Sequence, residues 1–185
     1  MSNKVRAIGE ALGWSVLITS AEWGARRTFK ARSTAWVMAY GGLAVAAAAS
    51  GARVRATDGE LSWKGLALAA FGYPLGRGLL GDRESSPPPD GFAHELVAIE
   101  VVAATEELTW GAIVEPALGP TLTAALFAGK HAVIDGRWRR LLGLFLFWSG
   151  LATQRRRWPT AALIAHALLN AIGVVRGHRS GRDQF

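Results

Sequence analysis

Two adjacent carboxylates, Glu106 and Glu107, stand inside residues 92–114, a run otherwise as apolar as a buried or membrane-spanning helix. An acidic side chain at the centre of such a helix costs roughly 2.5–3.5 kcal/mol on insertion scales, so carboxylates kept there mark chemistry more often than accident. Two further polar constellations follow in apolar runs, Phe127-Ala-Gly-Lys-His131 and His166-Ala-Leu-Leu-Asn170. At helical spacing Phe127 and His131 share a face, as do His166 and Asn170, because residues four apart are neighbours on a helix. A single histidine on an apolar face is more often a core imidazole satisfied by one carbonyl. A Glu pair, a His and a His–Asn pair on three separate apolar segments make a stronger conjunction, suited to acid–base work.

The segments must be helices for those spacings to matter. Within residues 92–114 the acids at 95, 100, 106 and 107 form two stripes, since 100° per residue puts Glu95 about 20° from Glu106, and Glu100 about 20° from Glu107. The uninterrupted apolar stretches between the acids leave no face for solvent, so both stripes are expected to look inward at polar partners or water. At about 100° from Glu106, Glu107 points elsewhere on an ideal helix.

Composition gives the setting. Half of the 185 residues are hydrophobic, in long runs with 21 Lys and Arg gathered between them, which predicts an all-α, polytopic transmembrane helix bundle of about six to seven spans in the cell membrane. The formal net charge of +7 and pI near 10.8 suit a nucleic-acid binder, but the basic clusters at 26–32, 137–140 and 155–157 each flank an apolar run and accompany no nucleic-acid motif. They read as membrane flanks in contact with anionic lipid, not as a nucleic-acid surface. The absence of cysteine excludes disulfides and thiolate chemistry.

Along the chain, residues 7–23 form a weak first span interrupted by Glu10 and Glu22. Residues 33–52 form an uncharged second one, with Trp36 and Tyr40 placed for an interfacial belt. Residues 61–80 carry Lys64 and Arg77 near their ends and Pro74 within, a predicted kink. Residues 81–91, with three consecutive prolines, read as the linker between an N-terminal group of membrane helices, 1–80, and a core, 92–176. Spans at 117–134, 141–153 and 158–175 complete the core, and 177–185 is a polar tail expected to be mobile. His94-Glu95-Leu-Val-Ala98 lacks the second histidine of a zinc-protease helix, and Gly129-Lys130 lacks both the leading glycine and the following Ser or Thr of a phosphate loop.

The order Glu106-Glu107, Phe127-x-x-x-His131, His166-x-x-x-Asn170 resembles the three motifs of the CPBP family, the CAAX-protease and bacteriocin-processing (ABI) group of intramembrane proteases. The segment from Gly150 through Trp158 to His166 is also similar to that family's approach to its last motif, and the likeness covers roughly residues 100–173. The resemblance implies an integral-membrane peptidase acting on a hydrophobic or lipidated peptide near the bilayer. It implies Glu106 as the general base for water with His131 assisting, His166 and Asn170 holding the scissile carbonyl oxygen, and Glu107 orienting. Glu106, His131 and His166 also form a possible three-ligand set for a divalent metal such as zinc, and a metal-free mechanism fits equally. The family pattern places an arginine where this chain has Gly111, so either another group compensates, with Lys130 and Arg137 as candidates, or the site is repurposed. Two other readings stand beside peptidase action: the scaffold turned to acid–base chemistry such as cyclisation of a hydrophobic small molecule, or a non-catalytic immunity protein.

Overall fold

The computed structural model describes residues 2–55, 58–81 and 87–185. Every regular element among them is helical, as the apolar periodicity predicts: α1 (Asn3–Thr28), α2 (Arg32–Ala49), α3 (Trp63–Leu79), α4 (Phe92–Glu106), a π-helical stretch (Glu107–Val114), α5 (Glu115–Leu118), α6 (Pro120–Asp135), a 3₁₀ turn (Trp138–Arg140), α7 (Leu141–Arg155) and α8 (Pro159–Ser180). Of the proline-rich linker, residues 82–86 lie outside the described part. Its end is anchored, because Asp90 accepts a hydrogen bond of 2.6 Å from the Ser33 amide in the first turn of α2, a helix with no side-chain cap of its own. Gly119 at φ +79° and the following Pro120 break the long α4–π–α5 rod, and Pro159 opens α8 at a first-turn position where a missing N–H costs nothing.

Of the described helices, α8 alone is long and apolar enough to cross a membrane, a length-and-composition test that the central helix of a soluble bundle also passes. Of the others, α3, α4, α6 and α7 fall short in length, with 17, 15, 16 and 15 residues, and α1 and α2 in hydropathy. Beside its apolar core, the chain exposes apolar stripes and buries charges. Ile164, Leu168 and Ile172 form an exposed stripe on α8, and Phe71, Leu75 and Leu79 form another on α3, whereas Glu22, Glu106, Glu107, Lys130 and His166 are all at most 3% exposed. Exposed apolar stripes of this kind are a liability in water and ordinary in lipid.

The packing of α3 on α7 is built from small residues. Gly65, Ala69, Gly72 and Gly76 face Gly143 and Gly150, and the backbones approach so closely that a β carbon at Gly150 would lie 2.3 Å from the Ala69 nitrogen. Contacts of this type associate helices where lipid supplies no hydrophobic drive. Gly150→Ala is expected to destabilise by at least about 1–3 kcal/mol, the scale of overpacking. Gly41→Ala, whose β carbon would meet nothing within 4 Å, is neutral or slightly stabilising. Thermal denaturation of both variants in one detergent checks the contrast.

Three expectations are corrected by the packing. Trp36 and Tyr40 do not form an interfacial belt: both are buried, because their N–H and O–H groups donate to the Glu22 carboxylate. Several cluster arginines are inside as well, Arg32, Arg140 and Arg155 being held by buried carboxylates. The tail is not free, since α8 continues to Ser180, and Asp183 then pairs with Arg32 while the Phe185 ring packs edge-on against Trp36.

Candidate active site

The Glu pair sits where the helix changes pitch. The Glu115 amide donates to the Trp110 carbonyl, five residues back, and this wider turn follows directly on Glu106. π-helical turns inside α-helices recur at functional sites because they re-aim consecutive side chains. Here both glutamates are buried, on different partners.

Oε1 of Glu106 accepts from Lys130 Nζ at 2.6 Å and lies 3.1 Å from the Tyr40 hydroxyl. The ammonium of Lys130 also donates to Tyr40 Oη at 2.7 Å and stands 3.3 Å from Glu22 Oε2. With one proton, the Tyr40 hydroxyl is better placed to donate to Glu22 Oε2, at 2.6 Å. Arg26 closes the cluster by pairing with Glu22 Oε1 at 3.0 Å. Two carboxylates are thereby matched by two cations, which makes the burial tolerable.

Glu107 is held from the other side. Arg155 grips it with two parallel bonds of 2.8 and 3.0 Å and also donates to Glu115. His166 bridges the pair: its Nδ1 lies 3.0 Å from Glu107 Oε1 and its Nε2 lies 3.6 Å from Glu106 Oε2. A proton on Nδ1, donated to the carboxylate, leaves Nε2 as a lone-pair nitrogen facing Glu106. The rings of Phe147 and Trp148 flank the imidazole at centroid distances of 5.1 and 6.0 Å.

No family model, curated protein or solved structure matches this chain. The site is therefore read from its own geometry. Glu106 and Glu107, expected to point about 100° apart, both reach the His166 imidazole, one from each side. Asn170, one turn beyond His166, and His131 line the same cavity of about 760 Å³. His131 departs from its expected place beside Glu106: its Nδ1 is 3.6 Å from Asp135 Oδ2, one turn along α6, with the Phe127 ring against it at 5.2 Å as their spacing implies. Asp135, just past the apolar part of α6, is itself paired with Arg26 and Arg140. Burial works to raise its pKa, but His131, Arg26 and Arg140 outweigh that and hold the carboxyl below the usual carboxylate range.

The three-ligand metal set is not assembled. Among the described residues no three His, Asp or Glu side chains surround a point that an ion would fill. The Lys130 ammonium already occupies the cation's place at Glu106, and the His131 ring, whose two nitrogens have no hydrogen-bond partner among the described residues, stands beside Asp135 at 3.6 Å. These residues do not fit a zinc centre, and no step is routed through one.

Sequence reasoning missed Glu22, Tyr40 and Arg155. Glu22 carried the same signal as Glu106, a charge in an apolar run, but was read only as weakening the first span. Arg155 answers the Gly111 departure: a β carbon at Gly111 would lie 2.7 Å from Arg155 Nε, so the glycine makes room for a guanidinium delivered from α7. Lys130, one of the two candidate cations, serves Glu106, while Arg137 is found on the main-chain oxygen of Phe185.

Proposed function

We propose that the chain is an integral-membrane peptidase of CPBP type that hydrolyses a peptide bond with water activated at Glu106. The observation that carries this reading is the 3.6 Å approach of Glu106 Oε2 and His166 Nε2 on a cavity wall, with the second atom of each group already held by Lys130 or by Glu107. A water bound beside both loses a proton to Glu106 as its oxygen attacks the scissile carbonyl, and that proton returns to the leaving amine. The Asn170 amide, one turn along α8, is the donor for the oxyanion, worth more where water is scarce. Glu107, clamped by Arg155, sets the His166 tautomer and ring plane, as an orienting carboxylate does in a triad. The exposed apolar stripes and the buried charges support a bilayer setting.

The apolar wall of the cavity, with Ile99, Val102, Leu144, Phe147 and Leu169, favours one second reading, acid–base chemistry such as cyclisation on a hydrophobic small molecule. Mass spectrometry separates the two. The chain in lipid nanodiscs, incubated with a library of hydrophobic and prenylated peptides, is expected to yield paired fragments whose masses sum to substrate plus one water. Intact peptides throughout, with an isomerised small molecule instead, would replace the peptidase reading by the second.

A further inference from the structure

Gly181, at φ +63°, ends α8 and turns residues 182–185 back against the mouth of the cavity, where Arg182, Gln184 and Phe185 join its lining. The segment folds as a tight turn, the Phe185 N–H donating to Asp183 Oδ1 at 3.0 Å, and its remaining polar groups are taken up by the surrounding helices. Consecutive main-chain oxygens are recognised: that of Gln184 accepts from the Tyr73 hydroxyl at 2.9 Å and from Arg77 at 3.5 Å, and that of Phe185 accepts from Arg137 at 2.8 Å and Arg32 at 3.2 Å. Side chains two apart are recognised separately. The Asp183 carboxylate takes two bonds from the Arg32 guanidinium, at 2.5 and 2.9 Å, while the Phe185 ring lies edge-on to Trp36 over Gly173. A β carbon at Gly173 would come within 2.7 Å of that ring, so the glycine forms its floor. Main-chain bonds for affinity with separate side-chain contacts for specificity are how peptide segments are bound.

We propose that this mouth is a seat for a peptide segment with an acidic residue two positions before an aromatic one, and that residues 182–185 are its resident occupant, which leaves before a substrate peptide enters. The inference rests on reading the cavity as a peptide site. It adds that the chain's own tail competes with substrate, and that the charge and the ring it presents describe the preferred substrate.

The test reads the position of the tail rather than hydrolysis. The chain has no cysteine, so Gln184→Cys accepts a bimane label at one place, on the residue beside Phe185, whose ring packs on Trp36, so that quenching by the indole reports a seated tail. The acetylated tetrapeptide Arg-Asp-Gln-Phe, added to the labelled chain in nanodiscs, is expected to relieve the quenching saturably, and a scrambled peptide is not. Phe185→Ala relieves quenching without peptide. Tyr73→Phe removes a hydroxyl that tail and peptide both use, so it raises the unquenched fraction before peptide is added by about two- to tenfold, the worth of one neutral hydrogen bond, and leaves the displacing concentration nearly unchanged. Quenching that the peptide leaves unchanged at saturation, or a label unquenched from the outset, overturns the proposal. Displacement is expected to persist in Glu106→Gln although cleavage is lost there; in the parent chain, displacement by peptides none of which is cleaved sinks the peptidase reading alone, and cleavage without displacement sinks the seat alone.

Discussion

Lys130→Met lowers the stability of the chain by roughly 3–5 kcal/mol, the cost of removing one partner from a buried ion pair and leaving the other charged. The magnitude follows from what Lys130 does. Its ammonium is the cation nearest to Glu106 Oε1, at 2.6 Å, and it also faces Glu22 at 3.3 Å. Once it is gone, Glu22 keeps Arg26 at 3.0 Å, while Glu106 has only the Tyr40 hydroxyl, whose proton is already better used on Glu22, and the distant Nε2 of His166. The double variant Lys130→Met with Glu106→Gln therefore recovers most of the loss, since it removes the orphaned charge together with its partner. The exposed Arg6–Glu10 pair on α1, at 3.1 Å, is the comparison: Arg6→Ala is expected to change stability by at most about 1 kcal/mol, because solvent screens that contact. Denaturation of the three variants and the parent in one detergent measures all of these differences, and a Lys130→Met variant as stable as the parent would show that the cluster is hydrated enough to spare its cation.

Glu106→Gln abolishes most of the turnover while leaving the fold standing. Loss of a positioned general base lowers a rate by about 10²–10⁴-fold. The amide keeps an oxygen for Lys130 and presents an N–H₂ toward His166, and Lys130 retains Glu22, so no charge is left without a partner. On the proposed peptidase reading, stability and rate respond separately at the two ends of one 2.6 Å contact, stability to Lys130 and rate to Glu106. A Glu106→Gln variant that still cleaved peptides at the parental rate would move the base elsewhere, with His166 the next group to replace.

The site was legible in part. Glu106, Glu107, His166 and Asn170 stand out because a polar residue in an apolar run is a local anomaly, visible without any knowledge of its neighbours. The regular 100° step behind the reading of the two acidic stripes holds through α4 to Glu106, so that Glu106 and Glu107 reach separate partners, and the pitch changes only beyond them, in the π-helical stretch that the sequence did not announce. Tyr40 and Lys130, 90 positions apart in sequence, meet at 2.7 Å, and Arg155 reaches back 48 positions to Glu107. Nothing in the residues flanking Tyr40 distinguishes a hydroxyl bound to a buried Lys from one resting at a membrane surface.

Residue types and their spacing determined that the chain is helical and that its internal charges require partners, because helix propensity and the cost of burying a charge belong to each residue and its near neighbours. Tertiary structure decided which partner each charge takes: Lys130 rather than a metal at Glu106, Arg155 rather than the expected arginine at Gly111, Asp135 rather than Glu106 for His131, and Arg32 rather than solvent for Asp183. Those choices rest on through-space distances of about 3 Å, set by where whole helices pack, and a linear pattern carries no term for them.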